Sequence, residues 1–320
     1  MRWTLKPVPN ENSVQHLATA LGIDETIARL LVQRGIESFA QAKAFFRPRL
    51  KDLHDPYLMK DMDIAVQRIQ TALSTNERIM VYGDYDVDGT TSVALMATYL
   101  ETKTEAIATY IPDRFTEGYG VSYAGIDYAA DNDFSLIIAL DCGVKALKKV
   151  AYAKEKGIDF IICDHHLPGD ALPQAVAVLD PKRSDCSYPF KELCGCGVGF
   201  KLIQALGQQF SESIDDLTPY LDLVATAIGA DIVPVVGENR ILAYYGLEVL
   251  NSKPRVGFQA LIHHIKKDTL TLTDVVFVIA PRINAAGRMK HGNYAVSLLK
   301  EADATKAQAA SEAIETFNTT

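Results

Sequence analysis

Between Arg78 and Leu179 the chain alternates short apolar runs with amphipathic stretches. Arg78–Tyr82, Ala106–Ile111, Leu136–Leu140, Ile158–Cys163 and Ala175–Leu179 have the length and β-branched content of strands. Leu136–Leu140 has no polar position at all, the pattern of a strand covered on both faces. The stretches between them, Thr90–Leu100, Ser122–Ala130 and Val144–Lys156 with Gly157 as its stop, carry helical spacing. Strands alternating with helices predict βαβ units, hence an α/β fold with a mainly parallel sheet flanked by helices.

Residues 1–60 read differently. Ser13, Asp24 and Ser38 are each placed to cap a short helix, with Gly22, Gly35 and Pro48 as stops. This predicts a small N-terminal helical segment. From Gly199 to about Lys266 the pattern is mostly helical again. Residues 304–320 are Ala-rich with charge on every side, a helix whose apolar side chains are expected to find their partner outside this chain. The division expected is therefore 1–60, 61–300 and 301–320.

The 320 residues suffice for about two domains with a sizeable core. No run approaches the ~20 apolar residues of a membrane span, and Met1–Asn10 lacks the apolar segment of a secretory signal. A cytoplasmic location with no membrane role is expected. Net charge is −8, from 32 basic and 40 acidic residues, which argues against a surface coated in phosphate contacts but allows a local basic path. Five cysteines, one inside an apolar run, read as reduced thiols. Cys194, Cys196 and Cys186 have no second pair at zinc spacing, so zinc is set aside.

Ligands in a parallel sheet bind at the carboxyl ends of the strands. The first strand is followed by Gly83-Asp84-Tyr85-Asp86-Val87-Asp88-Gly89, the third by Asp141-Cys142-Gly143, and the fourth by Asp164-His165-His166. These groups should converge on one rim. Two carboxylates about 4 Å apart repel by about 4 kcal/mol at an effective dielectric near 20. A divalent cation resolves that conflict, and carboxylates plus an imidazole suit Mn²⁺ or Mg²⁺. The acidic loop also resembles the start of a calcium loop, but position twelve counted from Asp84 is Leu95, where an EF-hand needs Glu. Asp141 alone could be a helix cap, and a lone His pair such as His263-His264 has no assigned role. Asp231, after an apolar helical stretch, is either a loop carboxylate or a further ligand.

Arg114 follows the second strand, and Pro281–Arg288 offers Arg282, Asn284 and Arg288 in a loop-like setting. Arginine forks bind phosphate oxygens in pairs, while a single Arg more often serves a structural ion pair. Gly195-x-Gly197-x-Gly199 leads into a helix and could offer amides to an anion; close helix packing is the commoner reason for such glycines.

Together, the segments Asp84–Gly89, Asp141–Gly143, Asp164–His166, Gly229–Pro234 and Pro281–Arg288 resemble the DHH phosphoesterase superfamily. Within it they are most similar to the RecJ family of bacterial single-strand-specific 5′→3′ DNA exonucleases. The resemblance runs from about Tyr57 to Asn293 and includes Glu117–Val121 and Pro181–Arg183. It implies a metal-dependent exodeoxyribonuclease that hydrolyses phosphodiester bonds to 5′-mononucleotides in DNA repair and recombination. It implies two divalent ions, Mn²⁺ preferred and Mg²⁺ as the alternative, on Asp86, Asp88, Asp141, His165 and Asp231. Asp141 would bridge them, His166 would act at the scissile phosphate, and Asp84 and Asp164 would support. Tyr82 stands where related enzymes often carry a His, so no metal bond is expected from it. Arg114 and Arg288 fall where the family grips phosphate, and Arg282 and Asn284 are expected beside them as phosphate or DNA contacts. Residues 61–300 would be the catalytic domain and 301–320 the start of a connector helix to a DHH-associated domain absent from this chain. Single-stranded DNA is the implied substrate, with a single-strand-binding protein and a RecQ-type helicase as implied partners. The rival readings are a nano-RNase, a cyclic-dinucleotide phosphodiesterase, a manganese pyrophosphatase and an inactive replication scaffold; a scaffold would have lost ligands that this chain keeps.

Overall fold

The computed structural model describes residues 4–289 and 292–318. The chain forms two compact units, Met1–Leu53 and His54–Thr320. In the first, α1 (Glu11–Leu21), α2 (Glu25–Val32) and α3 (Phe39–Phe46) close around Val14, Leu17, Ala28, Leu31 and Ala42. Asp24 caps α2, and Ser38 with Gln41 forms a reciprocal capping box on α3. The cap of α1 is Asn10 rather than Ser13: its Oδ1 accepts from the amides of Asn12 and Ser13 at 2.9 and 3.3 Å. Asn caps as well as Ser does, and it takes the earlier position, adding one turn.

The second unit runs α4 (Met62–Ser74), β1 (Arg78–Gly83), α5 (Val87–Glu101), β2 (Ile107–Tyr110), α6 (Tyr123–Asp131), β3 (Phe134–Leu140), α7 (Leu147–Glu155), β4 (Asp159–Cys163) and β5 (Ala177–Leu179). It continues through α8 (Gly195–Gln209), the single turn α9 (Ile214–Leu217), α10 (Leu221–Ala230), α11 (Gly237–Ser252), α12 (Val256–Ile262) and the short α13 (Leu272–Asp274). A π-helical turn, Val275–Ile279, leads into α14 (Ala280–Met289), α15 (Gly292–Lys300) and α16 (Ala304–Asn318). The five strands are all parallel, in the order β2-β1-β3-β4-β5. α4, α5 and α8 pack on one face. α6 and α7 cover the other, over Met80, Tyr82, Ile137, Ala139, Phe160 and Ile162. Burial on both faces explains the apolar strands. The chain leaves β1 toward β2 and then crosses to β3 on β1's other side. The C-terminal ends of β1 and β3 therefore flank the switch point where such sheets bind ligands.

Two expectations are corrected. Pro281–Arg288 is helical, not a loop: α13, the π-helical turn Val275–Ile279 and α14 run on without a break, and Pro281 follows directly on that widened turn, the kind of irregularity at which a helix accommodates proline. Residues 304–318 also find partners within the chain. Ala307, Ser311 and Ile314 are buried, and the Ser311 hydroxyl donates to the Ala260 carbonyl of α12 at 3.0 Å. Their spacing is one face of a helix, on which Ile314 is the one strongly apolar residue of the three. All five cysteines are buried and free. No helix among the described residues is long and apolar enough to cross a membrane.

Candidate metal centre

β1 ends at Gly83, and the next turns reverse the chain into α5. This reversal needs Gly89, because a Cβ there would lie 2.4 Å from the Asp84 carbonyl oxygen. Asp84 is fully buried; its carboxylate accepts from the amides of Tyr85 (2.6 Å) and Gly120 (2.8 Å), tying this loop to the one before α6. Asp86 caps α5 by accepting from the Gly89 amide at 2.9 Å. Asp88, in the first turn of α5, accepts from the amides of Gly195 and Cys196, each at 2.7 Å. Asp141 follows β3 with φ +58°, a conformation L-residues rarely take. Such strain concentrates at functional sites. Asp164 follows β4; its carboxylate accepts from the amides of Val144, His165 and His166 and from His166 Nδ1 at 2.7 Å.

The side chains meet at His165. Its Nε2 lies 3.1 Å from Asp141 Oδ1, 3.6 Å from Asp231 Oδ2 and 3.8 Å from Asp88 Oδ2. Asp231 sits at the C-terminus of α10, its side chain about one-third exposed (32%), so the cluster opens to solvent on that side. Four segments far apart in sequence thus supply one cluster. His165 Nε2 and Asp141 Oδ1 are buried without a hydrogen-bond partner among the described residues. Native structures seldom leave such atoms unsatisfied.

Electrostatics point the same way. Burial, with the charges of Asp231 and Asp86, pushes Asp88 up to about 8. Burial and the neighbouring carboxylates hold Asp141 well above the usual range. Burial lifts Asp84 to about 7, and burial plus Asp86 lifts Asp231 to about 6. Burial, with His166 alongside, pushes His165 down to about 4, keeping its ring neutral. A neutral imidazole cannot balance these carboxylates, but its lone pair can bind a cation. Buried oxygens and one imidazole nitrogen are a donor set that fits Mn²⁺ or Mg²⁺. His166 differs: its hydrogen bond to Asp164 raises its proton affinity, and that bond with the neighbouring amides outweighs burial to hold Asp164 below its ordinary value.

Around this centre the other expected residues divide. Arg114 lies over the Tyr85 ring at 4.8 Å; Tyr85 meets Tyr119 edge to face, and the Tyr119 hydroxyl donates to Asp86 at 3.2 Å. Asn284 lines a cavity of about 230 Å³ shared with Asp86, Asp88 and Asp231. Arg282 is not brought to the centre: it pairs with Glu315 of α16 and donates to the Val278 carbonyl. Arg288 belongs to α14, but its side chain lies outside the described residues. The Tyr82 hydroxyl is engaged by Gly120 and Ser122. No cysteine joins a metal-ligand cluster among the described residues.

Three contributors were given no place at the centre from sequence. The Gly195 and Cys196 amides hold Asp88, a use the G-x-G-x-G spacing allowed and close packing overshadowed. Both apply: a Cβ on Gly195 would sit 2.5 Å from Asp141 Cβ. Tyr119 braces Asp86, and the positive charge of Lys182 reaches Asp231 and His165. Gly195→Ala is expected to displace Asp141, costing about 1–3 kcal/mol as overpacking does and weakening Mn²⁺ binding at least ~10-fold. A Mn²⁺ titration of this variant matching the wild type would contradict the arrangement.

A carboxyl whose pKa is higher folded than unfolded makes stability fall as pH rises through that interval. Asp84 at about 7 and Asp88 at about 8 act this way between pH ~6.5 and ~8, and so does the raised His166. The depressed His165 adds no slope above its unfolded pKa of ~6.5. The metal-free melting temperature is expected to fall across this window. The Mn²⁺-induced rise is expected to grow, because the metal binds ionised carboxylates. A metal-free melting temperature that climbs there would count against the charge assignment.

Comparison with known proteins agrees with the geometry. The family model for the N-terminal domain of the DHH family matches residues 78–228. The single-stranded-DNA-specific exonuclease RecJ of Bacillus subtilis (strain 168) is 41% identical over 320 residues, 99% of this chain and 40% of that protein. A crystal structure of an exonuclease RecJ bound to manganese superposes with a TM-score of 0.77 at 32% identity, covering 85% of this chain and 68% of that one. RecJ of Thermus thermophilus in complex with Mn²⁺ superposes at 0.84 with 28% identity, covering 99% of this chain and 45% of that one. The chain spans 40% and 52% of the lengths of two curated RecJ relatives.

Proposed function

Because the chain belongs to the DHH family, in its RecJ branch, we propose that it is the catalytic part of a metal-dependent, single-strand-specific 5′→3′ DNA exonuclease that releases 5′-mononucleotides. The observation that carries this reading is the convergence of Asp88, Asp141, His165 and Asp231, with Asp141 Oδ1 and His165 Nε2 buried and unsatisfied. Asp86, Asp88, Asp141, His165 and Asp231 would hold two divalent ions, Mn²⁺ preferred, with Asp141 between them. When bound, such ions lower the pKa of water and offset phosphate charge.

The chain's own residues supply the rest. Asp164 accepts from His166 Nδ1 and fixes the ring, leaving the far nitrogen toward solvent; the side chain is 43% exposed. Asp164 also favours the protonated ring, so His166 is suited to donate a proton. That proton goes to the 3′-oxygen as it leaves phosphorus. Arg114, its guanidinium stacked on Tyr85, presents fixed positive charge to the backbone phosphates. None of these groups reads a base edge, so cleavage is indifferent to sequence. A role in DNA repair and recombination, beside a single-strand-binding protein and a RecQ-type helicase, goes with this activity.

The test compares Mn²⁺-dependent turnover of a 5′-phosphorylated single strand, the same strand in a blunt duplex, and a dinucleotide. The single strand is expected to be degraded at least ~10²-fold faster than the duplex, a ratio worth about 2.7 kcal/mol at the transition state. Turnover confined to the dinucleotide would replace this reading with that of a short-oligonucleotide phosphodiesterase.

A further inference from the structure

Two segments that build the metal centre have little of their own to hold them. Residues 232–235, directly after Asp231, make no backbone–backbone hydrogen bond among the described residues. Ile232 sits at φ +57° and is 82% exposed. That backbone is rare for a β-branched residue, so neither burial nor a hydrogen-bonded ladder fixes this turn. The second segment runs from Glu192 into α8, whose Gly195 and Cys196 amides hold Asp88. One side chain fastens both. Asn239, in the first turn of α11, is fully buried. Its Nδ2 donates to the Pro234 carbonyl at 3.1 Å and to the Glu192 carbonyl. Pro234 lies three positions after Asp231, and Glu192 three positions before Gly195.

We propose that Asn239 is a positioning residue of the metal centre: it ties the turn carrying Asp231 to the start of α8, and so sets the spacing of Asp231 and Asp88; this rests on the metal-binding reading above. The side chain has no local task that accounts for its place. A polar residue at this third helical position can reach back to the helix's own first amides. Asn239 instead offers its N–H groups to the carbonyls of two other segments. Its Oδ1 is buried with no hydrogen-bond partner among the described residues. Burying an unpaired oxygen costs free energy, so the use of this residue lies in its two donors. Its support is rigid. Glu238, the preceding residue, pairs with Lys201 of α8 at 3.2 Å and accepts from the Tyr188 hydroxyl at 2.6 Å, all three side chains buried. With α11 anchored there, the two carbonyls are held at fixed points beside the centre. Asp231 and Asp88 then flank His165 Nε2 at 3.6 and 3.8 Å.

The test reads the brace with and without metal. In EDTA, Asn239→Ala is expected to speed hydrogen exchange of the Gly195 and Cys196 amides by about tenfold, the scale of one hydrogen bond's net worth. Calorimetric titration with Mn²⁺ is expected to show affinity at least ~10-fold below the wild type, the lower end of what losing an outer support costs. Asn251→Ala is the control. Asn251 lies roughly 18 Å further along the same helix and ties the Leu270 backbone by two hydrogen bonds. Its loss is expected to lower the melting temperature and leave both readings at wild-type values. Unchanged exchange or unchanged Mn²⁺ affinity in Asn239→Ala, or an equal loss in Asn251→Ala, overturns the proposal. Should Asn239→Ala not fold, the wild type carries the test. Binding that depends on the brace must act back on it. Mg²⁺, which permits NMR, is therefore expected to slow exchange of the Asn239 side-chain amide, and an unaltered rate overturns the proposal. A wild-type protein that takes up neither metal sinks the metal-binding reading, and the exchange measured in EDTA still decides the brace.

Discussion

Replacing Asp141 by Ala is expected to abolish most of the rise in melting temperature that Mn²⁺ gives the wild-type protein, and to cut hydrolysis at least ~10²-fold, because the metal site it helps to build is weakened. The ligands come from four segments, so only the folded chain can assemble them. A cation at a hundred times its dissociation constant then stabilises folding by about 2.7 kcal/mol. For a chain of this size that is a shift of about 4–5 °C. Asp141 is the candidate ligand whose surroundings most call for a cation. It is 1% exposed, its Oδ1 has no hydrogen-bond partner, and its backbone sits at φ +58°. Without metal, the variant is therefore expected to be about as stable as the wild type: loss of a desolvated carboxyl offsets the roughly 1 kcal/mol that Ala costs at positive φ. The signature is a change in response to Mn²⁺ with little change in its absence. An undiminished Mn²⁺ shift would remove Asp141 from the ligand set.

His166→Ala is expected to lower kcat by ~10²–10⁴ with KM little changed, the range for acid–base groups. An interaction made only in the transition state shows itself in kcat. Metal content must be assayed alongside, because His166 lies near the ligands; its Nδ1, however, is already engaged by Asp164. Asp164→Asn tests the positioning. It removes the partner that raises the proton affinity of His166. If protonated His166 is the acid, the alkaline fall in kcat should then move to lower pH. Arg114→Ala should instead raise KM, with an effect that shrinks at high salt. A His166→Ala enzyme that loses affinity and keeps kcat would reverse the two roles.

The strands, the parallel sheet and the residues at its carboxyl rim were legible because each is written locally. An apolar run ends, and a carboxylate or imidazole follows: Asp84–Asp88 after β1, Asp141 after β3, Asp164–His166 after β4. Backbone donors leave no such mark. The amides that hold Asp88 come from Gly195 and Cys196, more than a hundred positions away. Long-range pairing hid the fate of Arg282, whose partner Glu315 lies on another helix. With Ala307 and Ser311 beside Ile314, the buried face of α16 carried little apolar signal, and Pro281 disguised the inside of a helical stretch as a loop.

The most direct test of the central claim follows which end of a strand is lost first. A single-stranded oligonucleotide labelled at its 5′ or its 3′ end is incubated with the protein and Mn²⁺, and the release of label is timed. The 5′ label should leave at once as a mononucleotide, while the 3′ label stays on shortening strands, and chelation should stop both. Early release of the 3′ label, or release that persists in EDTA, would contradict a metal-dependent 5′→3′ exonuclease.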